Sequence, residues 1–410
     1  MNNRIKLYFA NFLVMTAGLW MASCSASDDN LVSDKGADVA KNEKVLTLRI
    51  NTGATSFGSR TTDITTDPGT AAENTINRLT IGIFDSNGAN ARCIKELVKN
   101  GGTDVFTMAG TTATATITAS SFAAGDKVLV AVNAPASTFS GVSTATEFNA
   151  KTEGTVAALT FTAAAESENT VEEKDNIPMY GEGALTGSGK NFSAAVTVKH
   201  LLSKITLESL SVDFDKGGSY SAATFTPMKI FLINEPDGLV FNNEAWKTSV
   251  QNTFQGYKNG DPHGTYKECL TTQDLGVKTP LSGDSKSVAT CKFASNYFFY
   301  TMPNNEIDAS SKNTKLVIEG KFMASGTTNE ETVYYPVALN AKYEDKSSSY
   351  VAADPNTTVY KVYPNKNYKC TVVIKAKGAA SPFDNLDPKK ATITVTVSSF
   401  TDVTQTTVFK

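Results

Sequence analysis

Short segments in which apolar and polar residues alternate constrain the fold of this chain more than any other feature. The clearest is Val45–Asn51, where Leu46, Leu48 and Ile50 share one face. Successive side chains of a β-strand point to opposite faces, so this pattern predicts a half-buried strand. No segment sustains the 3.6-residue period of an amphipathic helix. The sequence therefore predicts an all-β protein.

Similar segments recur over the 410 residues, a length sufficient for two domains of roughly 150 residues or more each. We predict two β-sandwich domains, at 61–202 and 203–410, with few short helices. The helices are expected at Ala145–Lys151 and Ala163–Glu173. The further predicted strands are a segment ending at the Asn87-Gly88 turn, Thr103–Met108, Thr112–Thr118, Lys127–Asn133, Ala194–Lys199, Ser203–Val212, Met228–Asn234, Ser295–Thr301, Lys315–Phe322, Thr332–Val337, Tyr368–Lys375, Thr392–Val397 and Val403–Phe409.

The first 23 residues are predicted to be a secretory signal peptide, not a part of the fold. A positively charged start is followed by the short apolar segment Leu7–Trp20 and by Met21-Ala22-Ser23-Cys24. This last box resembles a bacterial lipobox, with Met21 where leucine is usual. Cys24 is therefore the predicted lipidation site, a palmitate anchor to the outer membrane, and 24–60 the lipidated propeptide and tether. The alternative is an ordinary signal peptide with an incidental cysteine.

Charge and motif content argue against nucleic-acid binding and catalysis. The formal net charge is −3, which gives no basic field for a nucleic acid. The chain has two histidines and lacks the GxSxG, HExxH and GxGxxG motifs. We predict no enzyme, cofactor or metal, although paired carboxylates among 41 acidic residues leave a glycoside hydrolase as an alternative.

Four cysteines besides Cys24 lie at Cys93, Cys269, Cys291 and Cys370. Their spacings fit no metal site, so buried thiols are expected. A disulfide between Cys269 and Cys291 is the alternative in an exported protein.

A loop that follows the first strand has the composition of a proteolytic site. Residues 52–63 are mostly small and turn-forming, with Arg60 among them. Cleavage after Arg60 would detach Leu46, Leu48 and Ile50 from the sheet. Arg49 is the second choice, because it lies within the strand itself.

The arginines are also unevenly placed. All five lie in the first 92 residues, which leaves 410 − 92 = 318 residues with lysine but no arginine. A chain that must survive an arginine-specific protease would have this distribution, and lysine-biased codon usage is the alternative.

The C-terminal end carries a second alternating segment suited to replace the first. Its apolar residues follow a Gly/Pro/Asp linker at 376–390 that would let the last strand leave its domain. We predict that this donor strand spans Thr392–Val397 and continues through Val403–Phe409. Its inward residues would be Ile393, Val395, Val397, Val403 and Val408.

An ordered set of motifs closely resembles the fimbrillin family, the subunits of type V pili of Bacteroidetes. In chain order the set comprises the lipobox, the alternating strand, S-R-T at 59–61, E-x-x-I-x-x-L-x-I-x-I-F-D from Glu73, V-L-V-A-V-N-A from Val128, I-P-M-Y-G from Ile177, V-x-V-K-H-L-L-S-K-I-T-L from Val196, F-F-Y-T-M-P-N from Phe298, Y-Y-P-V from Tyr334 and P-N-K-N-Y-K-C-T-V from Pro364. The chain departs from the family in two ways: its C-terminal region has Phe400 and Phe409 but not the tryptophan that is frequent there, and His200 replaces a commoner arginine.

This resemblance implies transthyretin-like β-sandwich domains and a fimbrial shaft subunit that supports adhesion. A lipidated precursor would reach the cell surface, and an arginine-specific protease would remove the first strand. The vacated groove would then accept the C-terminal strand of the next subunit, so partners are other copies or related pilins and a host surface. The lipid would give only transient membrane attachment. The mature protein would belong to a surface fimbrium.

Two alternatives remain at this stage. An anchor or tip pilin of the same fimbria would keep its lipid or tolerate loss of the C-terminal strand. A monomeric surface lipoprotein would bind host glycan or protein through the long irregular segment Glu235–Lys286.

Overall fold

A computed structural model describes residues 43–52, 73–99, 104–154, 177–214, 218–236, 238–246, 253–254, 273–274, 280–283, 297–307, 312–344, 347–386 and 391–399. Strands dominate these ranges, and the single helix within them is short. Among these residues no helix has the length and apolarity needed to cross a membrane. The predicted all-β class is confirmed.

The first half of the chain forms a continuous path of paired strands in the order β11-β8-β6-β2-β3-β4-β5-β1-β10-β9. The elements are β1 (Lys44–Asn51), β2 (Arg78–Phe84), β3 (Ala91–Lys99), β4 (Val105–Ala109), β5 (Thr112–Ala119), β6 (Lys127–Val132), α1 (Ala145–Asn149), β7 (Thr152–Gly154), β8 (Met179–Ala184), β9 (Thr186–Ser188), β10 (Asn191–Thr197) and β11 (Lys199–His200). One buried core joins Leu48 of β1 to Ile81 of β2 and Val130 of β6. Because both ends of the path share this core, the two halves of the path face each other as a sandwich.

The second half forms two sheets, β19-β12-β24-β25 and β17-β13-β20-β21. The elements are β12 (Ser203–Val212), β13 (Thr224–Ile233), β14 (Glu235–Pro236), β15 (Gly238–Val240), β16 (Thr253–Phe254), β17 (Gln273–Asp274), β18 (Leu281–Ser282), β19 (Tyr297–Thr301), β20 (Lys315–Met323), β21 (Glu330–Ala338), β22 (Lys342–Glu344), β23 (Ser349–Val351), β24 (Lys366–Ile374) and β25 (Ala391–Ser399). A second core lies between the sheets and includes Leu210 of β12, Ile318 of β20 and Val372 of β24.

The two sandwiches meet over a third apolar cluster. It contains Phe148 of α1, Leu201 between the sandwiches, and Phe241 and Met302 of the second half. Strand β7 also pairs antiparallel with β15, so backbone hydrogen bonds join the halves. The junction is therefore packed and is not merely a linker.

A buried polar network crosses the same junction. Lys204 Nζ donates to Glu73 Oε1 at 2.7 Å, and the Tyr300 hydroxyl donates to the same oxygen. His200 Nε2 donates to the carbonyl oxygen of Glu73 at 2.8 Å. Glu73 is 1% exposed and His200 is fully buried. Burial lowers the pKa of His200 to about 4, so its ring is neutral at pH 7.

Most predicted strands lie within a few residues of observed ones, and β12 coincides with its prediction. Strand β3 was not predicted. The helix α1 begins at Ala145 as expected, with Thr144 and Glu147 forming a capping box, but it ends at Asn149. The second predicted helix, Ala163–Glu173, lies outside the described residues.

The linker before the last strand is held against the second sandwich over its described part. Ala379 forms a backbone bridge with Tyr334, and the Tyr335 hydroxyl donates to the Ala376 carbonyl at 2.8 Å. A Cβ at Gly378 would lie 2.6 Å from the Tyr334 carbonyl oxygen, so glycine permits this close approach. This stretch therefore runs along β21 in the monomer.

Candidate functional site: the first strand and its slot

Strand β1 occupies an internal slot of the first sandwich. It pairs antiparallel with β5 over Lys44–Asn51 and parallel with β10 over Val45–Asn51. Both of its hydrogen-bonding edges are therefore occupied, as in a central strand. Removal of β1 would leave two unpaired edges, those of β5 and β10.

The inward side chains of β1 fill this slot completely. Leu46, Leu48 and Ile50 are each 0% exposed. Leu48 lies between Ala115 of β5 and Ala194 of β10. Small neighbours on both sides make room for a large aliphatic side chain, so the centre of the slot is shaped for a residue such as leucine.

The two ends of β1 are also fixed. Lys44 Nζ donates to the carbonyl oxygen of Phe122 at 2.7 Å and lies 5.5 Å from the ring centroid of Phe192. At the other end, the Val198 amide donates to the Asn51 carbonyl at 2.8 Å. These contacts set the register of β1 against its neighbours.

Burial of three aliphatic side chains at about 1.5–3 kcal/mol each gives β1 roughly 5–9 kcal/mol. A whole domain has a net stability of about 5–15 kcal/mol. The first sandwich therefore depends on a strand in this slot, whatever chain supplies it.

The predicted donor residues lie in a different place. Among the described residues, β25 is the edge of its sheet and pairs with β24 alone, from Ala391 against Ile374 to Ser399 against Lys366. Val395 is 5% exposed in the second core, and Ile393 packs against that core from a partly buried position. The donor and the slot thus belong to different sandwiches, and one chain does not bring them together.

The remaining predicted sites divide into described and undescribed residues. Arg49 projects from the exposed face of β1, and the backbone of Val397 pairs with Tyr368. The predicted residues outside the described ranges are Cys24, Arg60, Val403 and Val408.

Two thiols fall within the described ranges, and both are buried. Cys93 is part of the first core and Cys370 of the second. Burial raises the pKa of Cys370 to about 12. Cys269 and Cys291 lie outside the described residues. Within those residues no group of three or more histidine, cysteine and acidic side chains could hold a metal ion.

Sequence reasoning missed the alanines beside Leu48 and the network around Glu73. The alanines carry no signal without the pairing of the strands. Lys204 did carry one, since a lysine inside the apolar segment Ser203–Val212 requires a buried partner.

The fold is that of a two-sandwich β-protein in which β1 is an internal strand of the first sandwich. Loss of this one segment would open the sheet. Residues 45–205 match the family model of the major fimbrial subunit protein, FimA. The match covers less than half of the chain and shows that its first sandwich is similar to that family of fimbrial subunits.

Solved structures from two bacterial genera have a similar fold. A cell adhesion protein of Bacteroides eggerthii superposes with a TM-score of 0.56 at 20% identity, covering 87% of this chain and 96% of that one. A fimbrilin (FimA) of Porphyromonas gingivalis superposes with a TM-score of 0.53 at 17% identity, covering 88% and 99%. No curated protein sequence matches the chain. At these identities the superpositions show a shared fold.

Proposed function

We propose that this chain is a fimbrial shaft subunit that polymerises by donor-strand exchange after proteolytic loss of its first strand. The observation that carries the proposal is the internal position of β1. A strand paired on both sides leaves a slot with two open edges, and only another strand can fill it.

The arginine positions support cleavage after Arg60. Arg49, Arg78 and Arg92 each lie within a strand, where the paired backbone resists entry into a protease. Arg78 is also ion-paired with Glu96, and Arg92 Nε lies 3.6 Å from Asp126 Oδ2. Arg60 lies in the small-residue segment between β1 and β2. It is the arginine whose cleavage would release β1 and leave β2 and β3 intact.

The precursor would be held at the outer membrane through lipid on Cys24 until this cleavage. Because β1 lies between Cys24 and Arg60, one cut removes the lipid anchor and the first strand together. Release from the membrane and opening of the slot would thus be one event.

The donor would come from the C-terminal segment that begins at β25. An edge strand can leave a sheet without breaking that sheet in two, because only one ladder is lost. Ile393, Val395 and Val397 have the two-residue spacing of Leu46, Leu48 and Ile50. Val403 and Val408 would extend the contact. Donor and acceptor are different surfaces of one molecule, so the contact is heterologous and generates an open filament.

The first experiment tests cleavage and assembly together. The purified full chain is treated with an arginine-specific protease and run on a gel that preserves strand-exchanged oligomers. We expect a ladder for the unmodified chain and for the matched control Arg49→Lys, and none for Arg60→Ala. A chain that is fully cleaved after Arg60 and remains monomeric would overturn the proposal.

A second experiment identifies the donor residues. The double variant Val403→Asp, Val408→Asp changes residues beyond the described part of β25. Val395→Asp is a poorer test, because Val395 also packs in the second core. If the terminal part donates, the double variant should fold normally but form no ladder. A normal ladder from the double variant would restrict the donor to Thr392–Val397, and a ladder from a chain ending at Lys390 would exclude the C-terminal segment altogether.

A further inference from the structure

A cavity of about 380 Å³ opens at the junction of the two sandwiches. Tyr180 of β8 and Lys199 of β11 line it from the first sandwich. Residues 242–244, Trp246 and residues 363–366 line it from the second. Small-molecule sites of about 300–1,000 Å³ occur preferentially at such junctions.

One wall of this cavity is aromatic. The rings of Trp246 and Tyr363 lie 5.4 Å apart between centroids with an interplanar angle of 66°. Trp246 is partly exposed, yet its Nε1 is buried and has no hydrogen-bond partner among the described residues. The side chain therefore presents ring carbon to the cavity and keeps its polar atom inside. Lys361 Nζ lies 5.1 Å from the Trp246 ring centroid and helps to hold the ring.

Another part of the lining is polar. Asn243 and Glu244 are exposed, and Asn243 Nδ2 donates to Glu182 Oε1 at 3.1 Å. Amide and carboxylate groups together can accept from and donate to a ligand that carries several hydroxyls. An apolar ring surface together with such a polar rim matches a sugar, which has a C–H face and a hydroxyl edge.

The rim is held in place by further hydrogen bonds. Asn242 Oδ1 accepts from the amides of Glu244 at 2.9 Å and Ala245 at 2.8 Å, while Asn242 Nδ2 donates to the Asn149 carbonyl. The Tyr180 hydroxyl donates to Glu182 Oε1 at 2.7 Å. A rim fixed before binding loses less conformational entropy when the ligand arrives.

The charges of the described residues around the cavity balance. Three lysines and three carboxylates lie in or beside it, namely Lys199, Lys361, Lys366, Glu182, Glu244 and Asp354. Lys366 is already paired with Asp354 at 3.0 Å. His200 contributes no charge at pH 7, because burial lowers its pKa to about 4. A surface without net charge favours an uncharged ligand over a phosphate or an acidic sugar.

We propose that this junction cavity binds a neutral saccharide residue, with Trp246 and Tyr363 against its C–H face and Asn243 and Glu244 on its hydroxyls. None of the residues that line this site belongs to β1 or to β25, although Lys366 pairs with Ser399 at the end of β25. The test of saccharide binding is therefore made on the uncleaved chain, in which β25 is still in place.

The sequence provides a direct probe, because Trp20 and Trp246 are its two tryptophans. In a full chain carrying Trp20→Phe, indole fluorescence reports Trp246 alone. We would titrate methyl glycosides of glucose, galactose, mannose, fucose and N-acetylglucosamine. A saturable fluorescence change with at least one of them is expected.

Variants distinguish binding from a solvent effect. Asn243→Ala should weaken affinity about fivefold or more, the effect of one lost hydrogen bond, and Trp246→Ala should abolish binding measured by calorimetry. Asn356→Ala, another exposed asparagine on a loop of the second sandwich, is the matched control and should change nothing. No saturable response to any neutral glycoside, equal affinity in Asn243→Ala, or a response confined to sialylated or sulfated sugars would overturn the proposal. Asn243→Ala should still form the protease-dependent ladder, which separates this test from that of the proposed function.

Discussion

Strands β1 and β25 have similar alternating sequences but opposite structural positions. β1 is paired on both edges inside the first sandwich, and its three inward residues are 0% exposed. β25 is an edge strand with one neighbour, and Ile393 lines a cavity of about 270 Å³ together with Tyr343 and Tyr350. Loss of β1 would break a sheet in its interior, whereas loss of β25 would only remove one strand from the edge of a sheet. The same kind of segment is therefore internal in one position, where its loss exposes two strand edges, and peripheral in the other, where its loss exposes one.

The largest expected effect is the loss of β1 without a replacement. A chain lacking residues 391–410 should fold as a monomer before cleavage, since it loses only an edge strand. After cleavage at Arg60 and removal of β1, it should lose roughly 5–9 kcal/mol, the burial of Leu46, Leu48 and Ile50. Thermal unfolding followed by circular dichroism would measure the difference.

A peptide of residues 391–410 added to that cleaved chain should restore the melting temperature, and a peptide with Val403→Asp and Val408→Asp should restore less. If the chain lacking residues 391–410 were equally stable before and after the loss of β1, the slot would not need a strand, and β1 and β25 would not differ in this way.

The buried ion pair between Lys204 and Glu73 tests what stabilises the junction of the two sandwiches. Glu73 follows Arg60 in sequence, so it would stay with the folded part if β1 were removed. Glu73→Gln leaves the buried Lys204 without its counter-charge, so a loss of about 3–5 kcal/mol is expected in chemical denaturation. The control is Glu331→Gln, whose exposed pair with Lys377 contributes about 0–1 kcal/mol. Similar losses in both variants would show that the junction network does not stabilise the fold.

Matched truncations compare the two strands in the intact precursor. Leu48→Ala should cost about 2–5 kcal/mol, because a fully buried leucine leaves a cavity between β5 and β10. Ile393→Ala should cost about 1 kcal/mol, since its side chain is partly buried and already borders a cavity. Denaturant midpoints at equal slopes would give both values. A larger loss for Ile393→Ala would reverse the assignment of the two strands.

The last comparison concerns pH and distinguishes the two sandwiches. Burial raises the pKa of Glu235 in the second sandwich to about 8. The pKa of Glu235 is higher in the folded state than in the unfolded state. Its contribution to the free energy of unfolding is therefore fully present below about pH 4.5 and is lost as the pH rises through 8. The reverse holds for His200 in the first sandwich, whose contribution is lost as the pH falls from 6.5 to about 4.

Glu235→Gln should therefore reduce the loss of stability between pH 5 and pH 9 and leave the acid limb unchanged. Melting temperatures measured across this range would show it. An unchanged alkaline limb would exclude Glu235 as its source.

Alternation predicted where most strands lie, because the period of two is a local property of the backbone. Strand β3 was not predicted from the sequence, because Ile94, Leu97 and Val98 have the three- and four-residue spacing of a helix. Pairing with β2 over its length and with β4 at its end overrides that preference. Propensity is a weak guide wherever neighbours supply the hydrogen bonds.

The candidate site was only half readable from the sequence. Leu46, Leu48 and Ile50 were correctly predicted as an inward face, whereas cleavage after Arg60 stays a prediction. The parallel partner of β1, Asn191–Thr197, follows it by about 140 residues, and no local pattern indicates that pairing. The Glu73 network and the Trp246 cavity likewise join residues from distant parts of the chain.

The sequence alone determined the all-β class, the family resemblance and the inward residues of β1, because composition, motifs and a two-residue period can be recognised along the chain. Only the tertiary structure decided that β1 is internal and β25 is at an edge. The reason is physical: alternation states which side chains a strand buries, whereas the number of its hydrogen-bonded neighbours depends on segments that meet only after folding.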